Sequence, residues 1–253
     1  MSRPLAQLLA SAAFVLAAAL LAYRQRLNLS RSLLIAAARA AAQLAVVGAL
    51  IALVFRVPAL AIAFVAVMVL TASLTAGSRM RALPGARRIA VSAIALPALS
   101  AVGVLLAIGA FAATPRATIP TAGILIGGAM LATTLTGRRL VEGLADGVDE
   151  IEARLSLGDR ARDALAPLTR RAIAGAMVPL IDQTRSAGLV TLPGTFVGLV
   201  LGGASPGTAA RVQLVVLLTL LLVQLLSALL TAELVTRAAT LPGERVLALG
   251  APA

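Results

Sequence analysis

The sequence contains no cysteine, histidine, lysine or tryptophan, and these absences exclude several classes of protein. Without Cys and His it cannot form disulfides, zinc fingers, thiolate nucleophiles, Ser-His-Asp triads or histidine metal sites. Without Lys it cannot build the G-x-x-x-x-G-K-[ST] loop that holds the phosphates of ATP in P-loop enzymes. The chain therefore cannot be a P-loop ATPase.

The residues that are present are mainly aliphatic and belong in a lipid bilayer. Hydrophobic residues make up 60% of the 253, and the mean hydropathy is +1.00. All 22 basic residues are Arg, against 10 acids, which gives a net charge of +12. Because these arginines lie in short gaps between long apolar runs, they indicate membrane orientation rather than nucleic-acid binding.

Seven segments are long and apolar enough to cross about 30 Å of hydrocarbon as α-helices. We predict an all-α polytopic membrane protein whose residues 1–253 form one transmembrane domain. The predicted spans are Leu5 to Tyr23, Ser32 to Phe55, Val57 to Gly77, Ile89 to Ala112, Thr118 to Gly137, Ser186 to Gly203 and Val212 to Val235. The sixth is short and rich in glycine.

The distribution of arginine between alternate gaps predicts the orientation. One set of gaps holds sixteen arginines and the opposite set holds four. Because positive charge accumulates in cytoplasmic loops, this asymmetry predicts an external N-terminus and a cytoplasmic C-terminus. We expect a multi-pass protein of the cell's inner (plasma) membrane.

The predicted cytoplasmic loop from Arg138 to Arg171 contains an amphipathic helix. Its apolar residues recur at helical spacing and form one stripe, and Gly158 suits the left-handed position after the helix. The loop holds equal numbers of arginines and acids, so it is a poor anchor for anionic lipid. We therefore expect the stripe to be buried by a protein partner; it comprises Leu140, Leu144, Val148, Ile151 and Leu155.

Several motifs resemble one transporter family. The run from Glu152 to Gly158, followed by Pro179, resembles the E-A-A…G…P loop of ABC permeases. The stretch from Gly188 to Pro206, with its LVTLPG and GGASP segments, is similar to the bacterial iron-export ABC permeases and the related plant aluminium-tolerance permeases. Supporting similarity lies at Arg39 to Leu44 and at Ile119 to Gly123.

This resemblance implies a function and a set of partners. The chain would be the permease subunit of an ABC transporter that exports iron or another metal ion. It would dimerise with a second copy and bind a separate ATP-binding subunit, which supplies ATP hydrolysis, while the chain itself binds no cofactor and has no catalytic residues. The coupling surface would comprise Leu144, Val148, Ile151, Glu152, Leu155 and Gly158.

Glycines at helical spacing predict close helix packing in lipid. One ridge contains Gly194, Gly198 and Gly202, and a second contains Gly123 and Gly127. Packing within one subunit, a dimer interface and a moving gate are all compatible with them. Gly128 departs from the polar residue expected there in the family, which leaves the substrate chemistry open.

Polar residues inside the spans are candidates for a translocation path. Arg39 lies well inside the second span with Gln43 one turn away, so it must snorkel, pair or line water. In the last span, Gln224 and Ser227 belong to a polar face that also includes Gln213 and Thr231. Interhelical hydrogen bonding is the alternative explanation for this face.

Two other functional classes remain alternatives. A stand-alone secondary transporter would need a carboxylate in mid-span, and none of the ten acids lies there. An intramembrane lipid enzyme would have to work without His or Cys. The residues that would contact a metal are unknown, since only oxygen ligands, backbone carbonyls or Met68, Met130 and Met177 are available.

Overall fold

The computed structural model describes residues 3–247, which divide after Leu60 into two compact units. The first unit contains two helices, α1 (Arg3–Arg24) and α2 (Ser30–Val54). The five-residue connection between them includes Arg26 and Asn28, both with positive φ. Such a short connection between long helices makes them antiparallel neighbours.

The second unit contains the remaining helices and one small hairpin. The helices are α3 (Pro58–Arg79), α4 (Ala86–Ala107), α5 (Pro115–Asp146), α6 (Val148–Ser156), α7 (Ala161–Ser186), α8 (Gly194–Leu201) and α9 (Pro206–Ala239). The hairpin pairs β1 (Thr240–Leu241) with β2 (Arg245–Val246) in antiparallel register.

Local sequence explains where the two longest helices begin. Both start with a proline, Pro115 in α5 and Pro206 in α9, whose fixed φ and missing N–H suit the first helical position. In α9, the Ser205 hydroxyl also accepts a hydrogen bond from the Thr208 N–H at 3.3 Å. This is the usual way to satisfy a free N–H at a helix start.

Helices α5 and α9 form the centre of the second unit. Glycines on α5 lie where other side chains approach. Leu220 and Gln224 of α9 lie against Gly128, and Met80, in the turn after α3, lies against Gly137. Alanines such as Ala129 and Ala228 are fully buried nearby. Small residues let helix backbones approach closely in lipid, where dispersion contacts replace the hydrophobic effect as the main attraction.

Seven helices are long and apolar enough to cross a membrane, which confirms the predicted all-α polytopic fold for the described residues. Five of the predicted spans correspond to α1, α2, α3, α4 and α5, and the last corresponds to α9. At about 1.5 Å per residue, α5 and α9 are about 50 Å long, so both extend beyond the hydrocarbon.

The predicted sixth span, Ser186 to Gly203, is wrong. The sixth long helix is α7, Ala161–Ser186, and the segment predicted to span holds only the eight residues of α8. Gly188 and Gly203 have φ of 93° and 91°, which residues with side chains rarely adopt, and Pro193 precedes α8. Gly188 follows the end of α7 and Gly203 follows the end of α8, so no continuous helix runs through the segment.

Because the sixth long helix is α7, the loop predicted over 138–171 is shorter than expected. Arg138 to Asp146 continue α5, and Ala161 to Arg171 form the first turns of α7, which leaves 147–160 as the connection between the two helices. The predicted amphipathic helix is thus divided at Gly147 between the end of α5 and the nine residues of α6. The prediction of a single permease domain over 1–253 stays a prediction.

Candidate functional site

The apolar stripe predicted for partner binding is largely covered by the chain itself. Leu144 is 2% exposed and Ile151 is 6% exposed, while Val148 and Leu155 are half-buried. Residues 245–247 lie across from this stripe and enclose with it a cavity of about 310 Å³. Leu144 and Ile151 therefore belong to the protein core, whereas Val148, Glu152 and Leu155 line this cavity, and the coupling role of the set stays a prediction.

The outer face of α6 is the part that is open to a partner. Glu152 and Gly158 are exposed there, and Leu157 is 88% exposed. Gly158 has φ of 96°, the left-handed conformation predicted for it, and the Asp159 N–H donates to the Arg154 carbonyl at 3.1 Å. The sequence stripe did not identify Leu157, because this residue lies off the apolar face.

The C-terminal hairpin contacts the start of α7 and the end of α9. The Glu244 carboxylate accepts a hydrogen bond of 2.7 Å from the Ala161 N–H at the start of α7. The Leu247 N–H donates to the Ala239 carbonyl at 2.8 Å, so the chain folds back onto the end of α9. A carboxylate at a helix N-terminus is favoured by the helix dipole. The hairpin thus connects the start of α7 with the end of α9.

An ion-pair group joins the same ends of α7 and α9. Glu233 contacts Arg162 at 3.1 Å and Arg237 at 2.8 Å. Both arginine side chains are more than two-thirds exposed, so each pair adds at most about 1 kcal/mol. The Glu233 ion pairs matter mainly for geometry, because they hold the start of α7 beside the end of α9, on the same side of the bundle.

The polar face predicted on the last span is buried. Gln213, Gln224, Ser227 and Thr231 are each at most 7% exposed. The Thr231 hydroxyl donates to the Ser227 carbonyl at 2.6 Å, whereas the Ser227 hydroxyl and the Gln213 Oε1 have no hydrogen-bond partner among the described residues. The role of Gln224 and Ser227 in translocation stays a prediction.

The other two candidate path residues lie in the first unit. Arg39 and Gln43 are both on α2, and both side chains are exposed on that helix. Their predicted part in a translocation path stays a prediction.

The predicted packing glycines differ in their surroundings. A Cβ atom at Gly123 would lie 3.0 Å from Met68, so this glycine packs within the chain. At Gly127, Gly194 and Gly198 no heavy atom lies within 4 Å of that position. Gly202 follows the end of α8 and does not continue its ridge. Of the adjacent glycines 127 and 128, only Gly128 has close neighbours, Leu220 and Gln224. The sequence had not singled it out for packing.

Metal-binding groups are scarce in the part of the chain that the structure describes. No group of three or more carboxylate side chains lies together in residues 3–247. Of the three candidate methionines, Met68 and Met130 pack against the main core, while Met177 belongs to a separate buried cluster. The methionines therefore do not form one set of ligands.

Comparison with known proteins places the chain in a family of membrane proteins. It matches the uncharacterised protein family UPF0014 over residues 5–239. It is 39% identical over 212 residues to the UPF0014 membrane protein STAR2 of Oryza sativa subsp. japonica, covering 82% of this chain and 74% of that protein. No solved structure matches it significantly.

Two further relatives agree with this assignment. The protein Aluminum Sensitive 3 of Arabidopsis thaliana is 33% identical over 208 residues, which cover 80% of this chain and 75% of the relative. The probable iron export permease protein FetB of Escherichia coli (strain K12) is 31% identical over 204 residues, with coverage of 80% and 79%. The chain is therefore a polytopic membrane protein that belongs to the UPF0014 family.

Proposed function

We propose that this protein is the membrane-spanning permease subunit of an ABC transporter that moves a small solute out of the cytoplasm. The relative named as a probable iron export permease supports export and makes a metal ion the first candidate cargo. The absence of lysine supports ATP hydrolysis by a separate subunit, because this chain cannot form a Walker A loop.

One structural observation carries the proposal. Helix α6 presents an exposed face outside the long apolar helices and packs on α7, and the hairpin and the ion pair between Arg162 and Glu233 join the start of α7 to the end of α9. Movement imposed on α6 by a partner would therefore reach α9, whose buried polar face lies among the spans. A permease driven by an external ATPase needs such a mechanical connection.

Reconstitution tests this function. The permease and its ATP-binding subunit are incorporated in liposomes, and solute movement is followed with ATP and with a non-hydrolysable analogue. We expect transport only with ATP and only with both proteins. Transport by the permease alone, driven by an ion gradient, would favour the secondary-transporter alternative.

We propose that the 147–160 connection is cytoplasmic and the 187–193 segment external. The two lie at opposite ends of α7, about 39 Å apart along its axis. Because the chain has no native Cys, single cysteines report each side without background. The N-terminal residue Ser2 lies outside the described residues, so the test uses two exposed positions that the structure describes.

The expected result is that Leu189→Cys reacts with an impermeant maleimide in intact cells, whereas Ser156→Cys reacts only after permeabilisation. Leu189 is 95% exposed, and Ser156 is also exposed, so access to solvent does not distinguish them. Labelling of Ser156→Cys in intact cells would show that the chain has the opposite orientation.

We propose that the permease forms a homodimer through the surface around α8. Gly194 and Gly198 have open space where a side chain would lie, and Leu201 nearby is 82% exposed. Glycine surfaces of this kind allow a second helix to approach closely in lipid.

The dimer prediction compares two changes on adjacent residues of α8. We expect Gly198→Leu to shift the purified protein from dimer to monomer without loss of yield, because the new side chain meets nothing within its own chain. Leu199→Ala should leave the dimer unchanged. Light scattering in detergent measures the mass, and a Gly198→Leu variant that stays dimeric would remove α8 from the interface.

A further inference from the structure

A cavity of about 300 Å³ lies where α7, α8 and α9 meet in the second unit. Its size falls at the lower end of the range of about 300–1,000 Å³ for small-molecule pockets. Its apolar walls include Leu180 and Val216. Its polar side chains are three amides and three hydroxyls: Gln183, Gln213 and Gln224, and Thr184, Thr191 and Thr195.

Gln213 is the best indication that this cavity binds a ligand. It lines the cavity, is 7% exposed, and its Oε1 has no hydrogen-bond partner among the described residues. A buried acceptor without a donor is unfavourable, so native proteins rarely keep one without a reason. A ligand hydroxyl would supply the missing donor.

Gln224 also lines the cavity, three turns or about 16 Å further along α9. Its amide is held beside α5 at Gly128, where a Cβ atom would lie 3.2 Å from the Gln224 Nε2. The absence of a side chain at 128 therefore gives Gln224 its position. The lining thus includes two amides three turns apart on α9, and threonine hydroxyls from α7, from α8 and from the segment between them.

The charge of the surroundings restricts the ligand further. No lining residue is ionisable. The sequence between Arg211 and Glu233 of α9 contains no charged residue, and neither does the sequence between Arg116 and Arg138 of α5. Asp182 and Arg185 lie near on α7 but pair with each other at 3.3 Å and do not line the cavity. A bare divalent cation would enter a site with no compensating charge, which is costly away from water.

We propose that this cavity binds a small uncharged solute with several hydroxyl groups, and that it rejects a bare divalent cation. Amides and hydroxyls both donate and accept hydrogen bonds, so together they match a polyhydroxylated molecule, whose C–H surfaces pack on the aliphatic walls. This deepens the proposed transport function by naming the class of solute. Under it, a metal ion passes this cavity only within a charge-neutral complex.

Protection of a single cysteine tests the proposal on the purified permease in detergent. Thr191→Cys places a thiol in the cavity wall, and Leu189→Cys, on the same loop but outside the wall, is the matched control. The probes are myo-inositol, sorbitol and Mn²⁺. We expect either polyol to slow labelling of Thr191→Cys about fivefold once its concentration is about four times its dissociation constant. Labelling of Leu189→Cys should not change, and neither thiol should respond to Mn²⁺.

Two changes at Gln213, each combined with Thr191→Cys, separate recognition from folding. Gln213→Leu should remove the polyol protection, since it deletes the unpaired acceptor. Gln213→Glu keeps the shape and adds a carboxylate, so Mn²⁺ should now protect the thiol. The proposal is overturned if neither polyol protects, if protection survives Gln213→Leu, or if Mn²⁺ protects with the native Gln213. Because the labelling needs neither ATPase nor transport, its failure would leave the reconstitution result unaffected.

Discussion

The substitution Leu157→Asp is expected to release the ATP-binding subunit from the permease while leaving the permease folded. Leu157 is 88% exposed at the end of α6, in the connection between α5 and α7 that we propose to be cytoplasmic. Burying a leucine contributes about 1.5–3 kcal/mol, which corresponds to a ten- to hundredfold change in affinity. The buried charge would weaken binding further.

The measurement is co-purification of the ATP-binding subunit with tagged permease in detergent, together with the size-exclusion profile of the permease. Leu27→Asp is the matched control. Leu27 is 56% exposed in the connection between α1 and α2, which the proposed orientation places on the same side of the membrane. If Leu157→Asp retains the subunit at the native ratio, α6 is an ordinary connector and the proposed coupling surface is wrong.

A substitution in the apolar stripe predicted from the sequence should have a different effect. Ile151 is 6% exposed and packs within the main core, so Ile151→Asp should damage the permease itself. An aggregated size-exclusion profile would then accompany any loss of the partner. The two substitutions therefore distinguish a contact surface from a core position on the same short helix.

Sequence periodicity predicted the apolar stripe of α6 but could not show what covers it. The covering residues, Arg245 to Leu247, lie about ninety positions away in the sequence. Glu244 and Ala161, which form a hydrogen bond, are separated by a similar 83 positions. A helical pattern reports that a face is buried, whereas the identity of the covering segment depends on tertiary structure.

Hydropathy found six of the seven spans and misplaced one for a physical reason. Helix α7 has the lowest hydropathy of the seven, because Arg162, Arg170 and Arg171 occupy its first turns. The segment from Ser186 to Gly203 is more apolar, yet its glycines and proline stop a continuous helix. Apolar composition alone therefore selected a segment that cannot span as one helix.

The burial of the α9 polar face followed from its helical spacing, while the role of Gly128 did not. Gln213, Gln224, Ser227 and Thr231 share one face by sequence, and the structure buries all four. The G-x-x-x-G pattern pointed instead to Gly123 and Gly127. Which neighbour of a glycine pair faces another helix depends on the rotation of α5, and spacing alone does not give that rotation.

Gly128→Val is expected to lower the melting temperature of the permease more than Gly127→Val, because Leu220 and Gln224 must move to admit the new side chain. A Cβ atom at position 128 collides with Leu220 and lies 3.2 Å from the Gln224 amide, but at position 127 it meets no atom within 4 Å. Overpacking a tight core costs about 1–3 kcal/mol. Both changes place valine in the middle of α5, so their effect on the intrinsic stability of the helix is the same.

Thermal unfolding in detergent measures this difference, and polyol protection of Thr191→Cys in the same backgrounds measures its effect on the cavity. Valine at 128 displaces Gln224 from its place beside α5, so protection should weaken even at temperatures where the variant remains folded. Valine at 127 should keep both the melting temperature and the protection. Equal melting temperatures for the two variants would mean that α5 and α9 do not approach closely at Gly128, and the position assigned to Gln224 would then be wrong.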